Sequence, residues 1–146
     1  MADRNSVLAF YDDRVLAHQP DGHGAFLSQR MDKRLREILE GLGVAWKYPE
    51  HPGRLTAILE LLEHDPVAGV RYESGAQATH EQLSRVHTTG YLESIYQLRG
   101  KKAWLDVDTT AVSPGSIEAA EVAAGTAVAA VEAVMAGRAE SAFALI

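Results

Sequence analysis

The chain has 146 residues, enough for one modest domain, and no cysteine, which excludes disulfides and thiolate metal sites. Hydrophobic residues make up 47% and charged residues 23%, the balance of a globular protein rather than a disordered one. Its 14 basic and 20 acidic residues leave a net charge of −6, which argues against a nucleic-acid scaffold with its basic face.

Val7–Tyr11 is a short apolar run bounded by Asp12 and Asp13, and it reads as a buried strand of the kind a parallel sheet uses. Pro20, Gly22 and Gly24 break the chain into a loop over 14–26. An amphipathic helix is predicted over about 28–42, with Leu27, Met31, Leu35, Ile38 and Leu42 on one stripe and Ser28 at its start. The prolines of Tyr48-Pro-Glu-His-Pro52 prepare a helix near 53–63, with Leu55, Ile58, Leu59 and Leu62 inward.

Val70–Tyr72 reads as a further short strand, and Thr79-His-Glu-Gln82 has the capping-box pattern. The helix that follows carries Leu83 and Val86, is interrupted near Gly90 and resumes through Leu92, Ile95 and Leu98. Residues 99–112 read as loop. Ser113 is placed as the N-cap of a long helix, with Pro114 at its first position. Its predicted core stripe is Ile117, Ala120, Ala124, Val128, Val131 and Met135, and Gly137 ends it. Ser113-Pro-Gly-Ser116 is better read as capping than as an anion site, since it lacks the glycine spacing and lysine of a phosphate loop. The last residues, Ser141–Ile146, form an uncharged strand.

Strands alternating with helices indicate an α/β architecture, a largely parallel sheet flanked by helices. The start, Met-Ala-Asp-Arg-Asn, has no apolar core behind a basic region, so no secretory signal is visible. Glu121 and Glu132 interrupt the most apolar stretch, 119–136, which favours a buried soluble helix over a membrane span. The expectation is a cytoplasmic protein with no membrane or nucleic-acid partner.

Three segments and their order carry a resemblance. They are Phe10-Tyr-Asp-Asp-Arg-Val-Leu-Ala-His18, Tyr48-Pro-Glu-His-Pro-Gly-Arg-Leu55, and Asp106 to Gly125 with His80-Glu-Gln-Leu-Ser-Arg-Val-His87 leading up to it, followed by Ala142-Phe-Ala-Leu145. This order resembles the N-terminal part of the zinc-dependent deacetylases: histone deacetylases, acetylpolyamine amidohydrolases and acetoin-utilisation proteins. The resemblance implies an arginase/deacetylase-like fold, with residues 1–146 forming the N-terminal part of a single domain and a helical insertion at about 24–44. It implies an intact enzyme that removes acetyl or other acyl groups from an acetyl-lysine or acetylpolyamine-type substrate with a zinc ion. In the family the last strand runs into the catalytic histidine pair, so the pair and the zinc ligands are expected beyond residue 146. This chain alone is therefore expected to bind no metal, to contain no catalytic residue and to be inactive.

What the resemblance assigns within the chain is a substrate rim and a channel wall. Asp108 matches a loop aspartate that accepts hydrogen bonds from substrate amides, and Asp106 competes for that role because the loop length leaves the register open by a residue or two. A carboxylate suits the task with two strong acceptor oxygens; the plain alternative is a solvated loop aspartate or a helix cap. Arg54 matches an arginine that lines an internal channel beneath the metal, where a guanidinium fork can steer the acetate product. The alternative is an exposed arginine at a helix start. Tyr11 resembles a tyrosine lining the same channel, and a strand-end core tyrosine accounts for it equally well.

The six histidines, His18, His23, His51, His64, His80 and His87, show no metal-ligand spacing. His18 matches the histidine of a second, structural zinc in some relatives, but Tyr48 and the lack of cysteine argue against that site. His87 reads as a structural helix histidine. The insertion borders the mouth of the family's active site, and its stripe either docks on its own domain or pairs with another subunit; a homo-oligomer is expected. Two other readings stay open, a non-enzymatic assembly module derived from the same fold and an unrelated small α/β ligand-binding domain.

Overall fold

The computed structural model describes residues 7–19, 38, 52–105 and 110–146. The insertion at 24–44 therefore lies outside the described residues except for Ile38, which is exposed.

Three parallel strands form the main sheet in the order β2 (Val70–Ser74), β1 (Val7–Tyr11), β5 (Ser141–Ala144). The central strand is the uncharged one. Leu8, Ala9 and Phe10 are all buried, as a parallel strand flanked on both edges and covered on its faces requires. Ala9 is level with Tyr72 on one side and Phe143 on the other. β2 carries Arg71 and Glu73, which its edge position tolerates, and Glu73 is paired there with Arg138 at 2.7 Å.

Among the described residues four complete helices connect the strands: α1 (Gly53–His64), α2 (His80–Ser84), α3 (Thr89–Tyr96) and α4 (Ser116–Met135). The capping box of α2 forms as read, Thr79 and Gln82 each satisfying the other's backbone N–H at 3.2 and 2.8 Å. The break between α2 and α3 falls at 85–88, ahead of Gly90, because Thr88 caps α3 through the Tyr91 N–H. α4 ends as expected: Gly137 takes a positive φ of 68°, and the Arg138 N–H returns to the Ala133 carbonyl at 2.9 Å. Among the described residues no helix is long and apolar enough to cross a membrane.

Two apolar clusters hold the layers together. Leu8 and Phe10 of β1 meet Ala130, Ala133 and Ala139 under α4. Val15, Leu55, Val122 and Leu145 form the other, with Tyr11, Leu16, Leu59 and Leu62 packed against it.

The structure corrects four local expectations. Of the predicted stripe of α4 Ile117 is buried, but Ala119, Val122, Gly125, Thr126, Ala130 and Ala133 continue the buried face, whereas Val131 (62% exposed) and Met135 (82%) face solvent. At Gly125 the helix lies so close to the 75–78 segment that no side chain fits beneath it, and this contact sets which face turns inward. α4 starts at Ser116 with Gly115 as cap, not at Pro114, because the Ser113 hydroxyl is engaged by the Gln19 N–H and by Ser116. Ile58 is 46% exposed rather than inward. Residues 99–112 are not all loop. They contain an antiparallel hairpin of two short strands, β3 (Ala103–Trp104) and β4 (Ala111–Val112).

Candidate functional site

In parallel sheets ligands collect beyond the carboxyl ends of the strands. Here β1 leaves the sheet at Tyr11 and turns at once. Asp12 caps a 3₁₀ turn over Asp13–Ala17 by accepting the Arg14 N–H at 3.0 Å. The Arg14 guanidinium folds back on the same carboxylate, Nε to Oδ1 at 2.9 Å and Nη2 to Oδ2 at 2.8 Å. This forked bond holds the Asp12 carboxyl below the usual carboxylate range.

The turn delivers Val15, Leu16 and His18 to one wall of a pocket of about 340 Å³. Pro52, Arg54, Leu55 and Ile58 of α1 form the opposite wall, and Ile146, just past β5, contributes as well. The lining is apolar apart from Arg54 and His18, so the pocket suits a small anion or an acyl group more than a polar chain. Arg54, expected to line a channel, thus lies on a pocket wall, and as a whole residue it is solvent-exposed.

Tyr11 packs against the second core cluster, whose Val15 and Leu55 also line the pocket. Its hydroxyl is buried and has no hydrogen-bond partner among the described residues. Burial first, and then the Asp13 and Asp12 carboxylates, push the phenol up to about 12.

A smaller pocket of about 180 Å³ lies under the hairpin, between Gln19, Lys102, Ala103, Trp104, Ala111, Val112 and Ser113. The hairpin is closed by the Leu105 N–H donating to the Thr110 carbonyl at 3.0 Å. Asp106 and Asp108 belong to the segment between those two residues and lie outside the described residues.

A polar seam joins the two pockets. His18 Nδ1 lies 2.7 Å from Ser116 Oγ, and Ser116 Oγ lies 2.9 Å from Ser113 Oγ. Ser116 Oγ also accepts the Ser113 N–H at 2.7 Å, and Ser113 Oγ accepts the Gln19 N–H at 3.0 Å. Gly115 permits this closeness, since a Cβ there would stand 2.7 Å from the Ala17 Cβ and closer still to the Ala17 carbonyl oxygen. The Ser–His pair is not an activated nucleophile: Ser116 is buried and its oxygen is surrounded by partners that leave a substrate no approach. Sequence reasoning placed Ser113 as the helix cap and read Ser113-Pro-Gly-Ser116 as capping, with no separate role for Ser116. The Ser-x-x-Ser spacing facing a post-strand histidine was the available signal.

Glu121 was also missed. It is buried, and its carboxylate accepts from Arg99 Nη2 at 2.7 Å and from Gln77 Nε2 at 2.8 Å. Among the described residues no three His, Cys, Asp or Glu side chains come together in a way that could hold a metal ion. What the described geometry can do is bind and orient: an apolar pocket with one guanidinium, a rigid polar seam, and a hairpin braced beside it.

Comparison with known proteins agrees with this architecture. Residues 48–146 match the histone deacetylase domain family. The chain is 29% identical over 145 residues to histone deacetylase 8 of Arabidopsis thaliana, a match covering 97% of this chain and 36% of that protein. It is 35% identical over 97 residues to a histone deacetylase-like amidohydrolase of Pseudomonas aeruginosa, covering 66% of this chain and 25% of the relative. Among solved structures, the crystal structure of the HDA15 HD domain superposes with a TM-score of 0.72 at 25% identity, over 97% of this chain and 35% of that one. The chain thus spans about a third or less of the length of the proteins it matches.

Proposed function

The chain belongs to the histone deacetylase domain family, and from that premise we propose that it forms the sheet core and substrate-side wall of an N-acyl amidohydrolase domain. The complete domain hydrolyses the acyl amide of an acetyl-lysine or acetylpolyamine-type substrate. The observation that carries this reading is the pocket beyond the carboxyl ends of β1 and β5, where Arg54 and His18 face apolar residues. A short acyl group or the acylate it becomes fits such a lining, with the guanidinium as counter-ion. The zinc that this family reading requires finds no ligand cluster among the described residues, and the roles given to this chain are accordingly binding and positioning.

Asp108, or Asp106 two residues before it, holds the substrate amide at the rim. The β3–β4 hairpin that flanks these two residues supports this, since it gives the segment a braced stem beside the second pocket. The test is Asp108→Asn in a complete domain, which keeps the shape but removes the charge. A hydrogen bond to a charged group contributes roughly 1.5–3 kcal/mol, so kcat/KM is expected to fall on the order of ten- to a hundredfold. Full activity of Asp108→Asn beside a crippled Asp106→Asn reassigns the role to Asp106. Full activity of both removes the rim from the account.

A further inference from the structure

Glu121 sits in the second turn of α4, the most apolar of the described helices, and is nevertheless buried. A carboxylate in that position is stable only if its oxygens are met by donors. They are met from two different parts of the fold. Oε1 accepts from Arg99, which stands just before β3, at 2.7 Å. Oε2 accepts from Gln77, in the segment after β2, at 2.8 Å, and the Glu121 carbonyl takes the neighbouring Ala78 N–H at 2.9 Å.

Arg99 is itself braced, with its guanidinium 5.7 Å from the centre of the Tyr96 ring. Next to it Gly100, at φ +74°, donates its N–H to the Pro114 carbonyl at 3.3 Å. The approach to β3 and the exit from β4 are therefore tied together at the start of α4, and one side chain joins both to the loop after β2.

We propose that Glu121 is a positioning residue, a buried carboxylate clasp that locks the β3–β4 hairpin onto α4 and so fixes where the hairpin presents its substrate contacts. The proposal deepens, and rests on, the reading of the hairpin segment as the substrate rim. Glu121 and Arg99 touch no reacting atom; they act through the hairpin stem.

The first test needs only the full chain. Glu121→Gln, and the milder Arg99→Gln at the half-exposed end of the pair, are compared with the parent by amide exchange. The Gly100 and Leu105 amides are expected to exchange about tenfold faster or more, while Leu8 and Phe10 in the central strand keep their protection. Arg99→Lys restores part of the protection at Gly100 and Leu105. Unchanged exchange at those two amides, or equal acceleration throughout the chain, overturns the clasp.

The second test reads the consequence for hydrolysis in a complete domain. Glu121→Gln raises KM by about tenfold with kcat near the parent's, and this effect disappears in the Asp108→Asn background because the two act through one contact. The same loss in both backgrounds overturns the coupling to the rim. If Asp108→Asn and Asp106→Asn are themselves fully active, it is the rim reading that fails, and the exchange result shows separately whether the clasp exists.

Discussion

Replacing Gly125 by alanine sets two known effects against each other. In an open helix interior the change is stabilising by about 1 kcal/mol, since alanine is the better helix former. Gly125, however, is buried in the middle of α4, where the helix crosses the 75–78 segment. A Cβ there would lie 2.5 Å from the Gln77 carbonyl carbon and closer still to the Ala76 oxygen and the Ala78 nitrogen. All three are backbone atoms and cannot rotate aside. The Ala78 nitrogen is also committed to the Glu121 carbonyl at 2.9 Å, so moving the segment loosens that bond as well. Overpacking of this kind costs about 1–3 kcal/mol and a weakened hydrogen bond about 1 more, which outweighs the propensity gain and leaves a net loss of roughly 1–3 kcal/mol.

Gly90 is the internal control. It lies in the first turn of α3 with nothing within 4 Å of its would-be Cβ, so Gly90→Ala should stabilise by about 0.5–1 kcal/mol. Urea denaturation followed by circular dichroism reads both. With an m-value of about 1–3 kcal/mol/M, the Gly125→Ala midpoint is expected to fall by about 1 M and the Gly90→Ala midpoint to rise. A Gly125→Ala protein as stable as the parent, or more so, would refute the close approach of α4 to the loop after β2.

Two further predictions concern Tyr11 and Ser116, which pack behind residues that line the pockets. The Tyr11 phenol, raised from 10.0 to about 12, ionises first in the unfolded chain, so its contribution is complete below about pH 10 and is lost as pH rises toward 12. Stability of the parent should therefore drop by roughly 2 kcal/mol over that window, and Tyr11→Phe should lack this component; parallel urea midpoints for the two proteins across the window would contradict it. Ser116→Ala leaves His18 Nδ1 and the buried Ser113 N–H without their shared partner, with an expected loss of about 1–3 kcal/mol. A denaturation midpoint within error of the parent's would mean that the seam between the pockets contributes nothing.

What could be read from the residues follows from the size of the signal. The uncharged runs at 7–11 and 141–146 announced strands of a parallel sheet, and β1 and β5 lie side by side in it, β1 buried and β5 partly exposed. The Thr79–Gln82 capping box and Gly137 act through local hydrogen bonds or a single backbone angle, so their roles depend little on the rest of the fold. The hairpin strands have two residues each, too few for any alternation to register. Beyond Ile117 the face of α4 was misassigned because hydrophobicity was used to rank its positions, whereas the contact of Gly125 with the 76–78 backbone sets which face turns inward and leaves Val131 and Met135 outside. Glu121 was given no partner from the sequence because its two donors, Gln77 and Arg99, are distant along the chain. Arg54 and His18 stood out as functional types, but that they line one pocket depends on α1 folding back beside the turn after β1.

The central claim is that this chain supplies the core and substrate-side wall of an N-acyl amidohydrolase, and the most direct measurement is turnover of acetyl-lysine peptide and acetylpolyamine with zinc supplied. It should be made side by side on the 146-residue chain and on a complete domain that carries it. The account predicts zinc-dependent turnover by the complete domain, reduced on the order of ten- to a hundredfold by Asp108→Asn, and background rates for the chain alone. Turnover by the chain alone that scales with its concentration, or a folded, zinc-loaded complete domain that hydrolyses neither substrate, would contradict it.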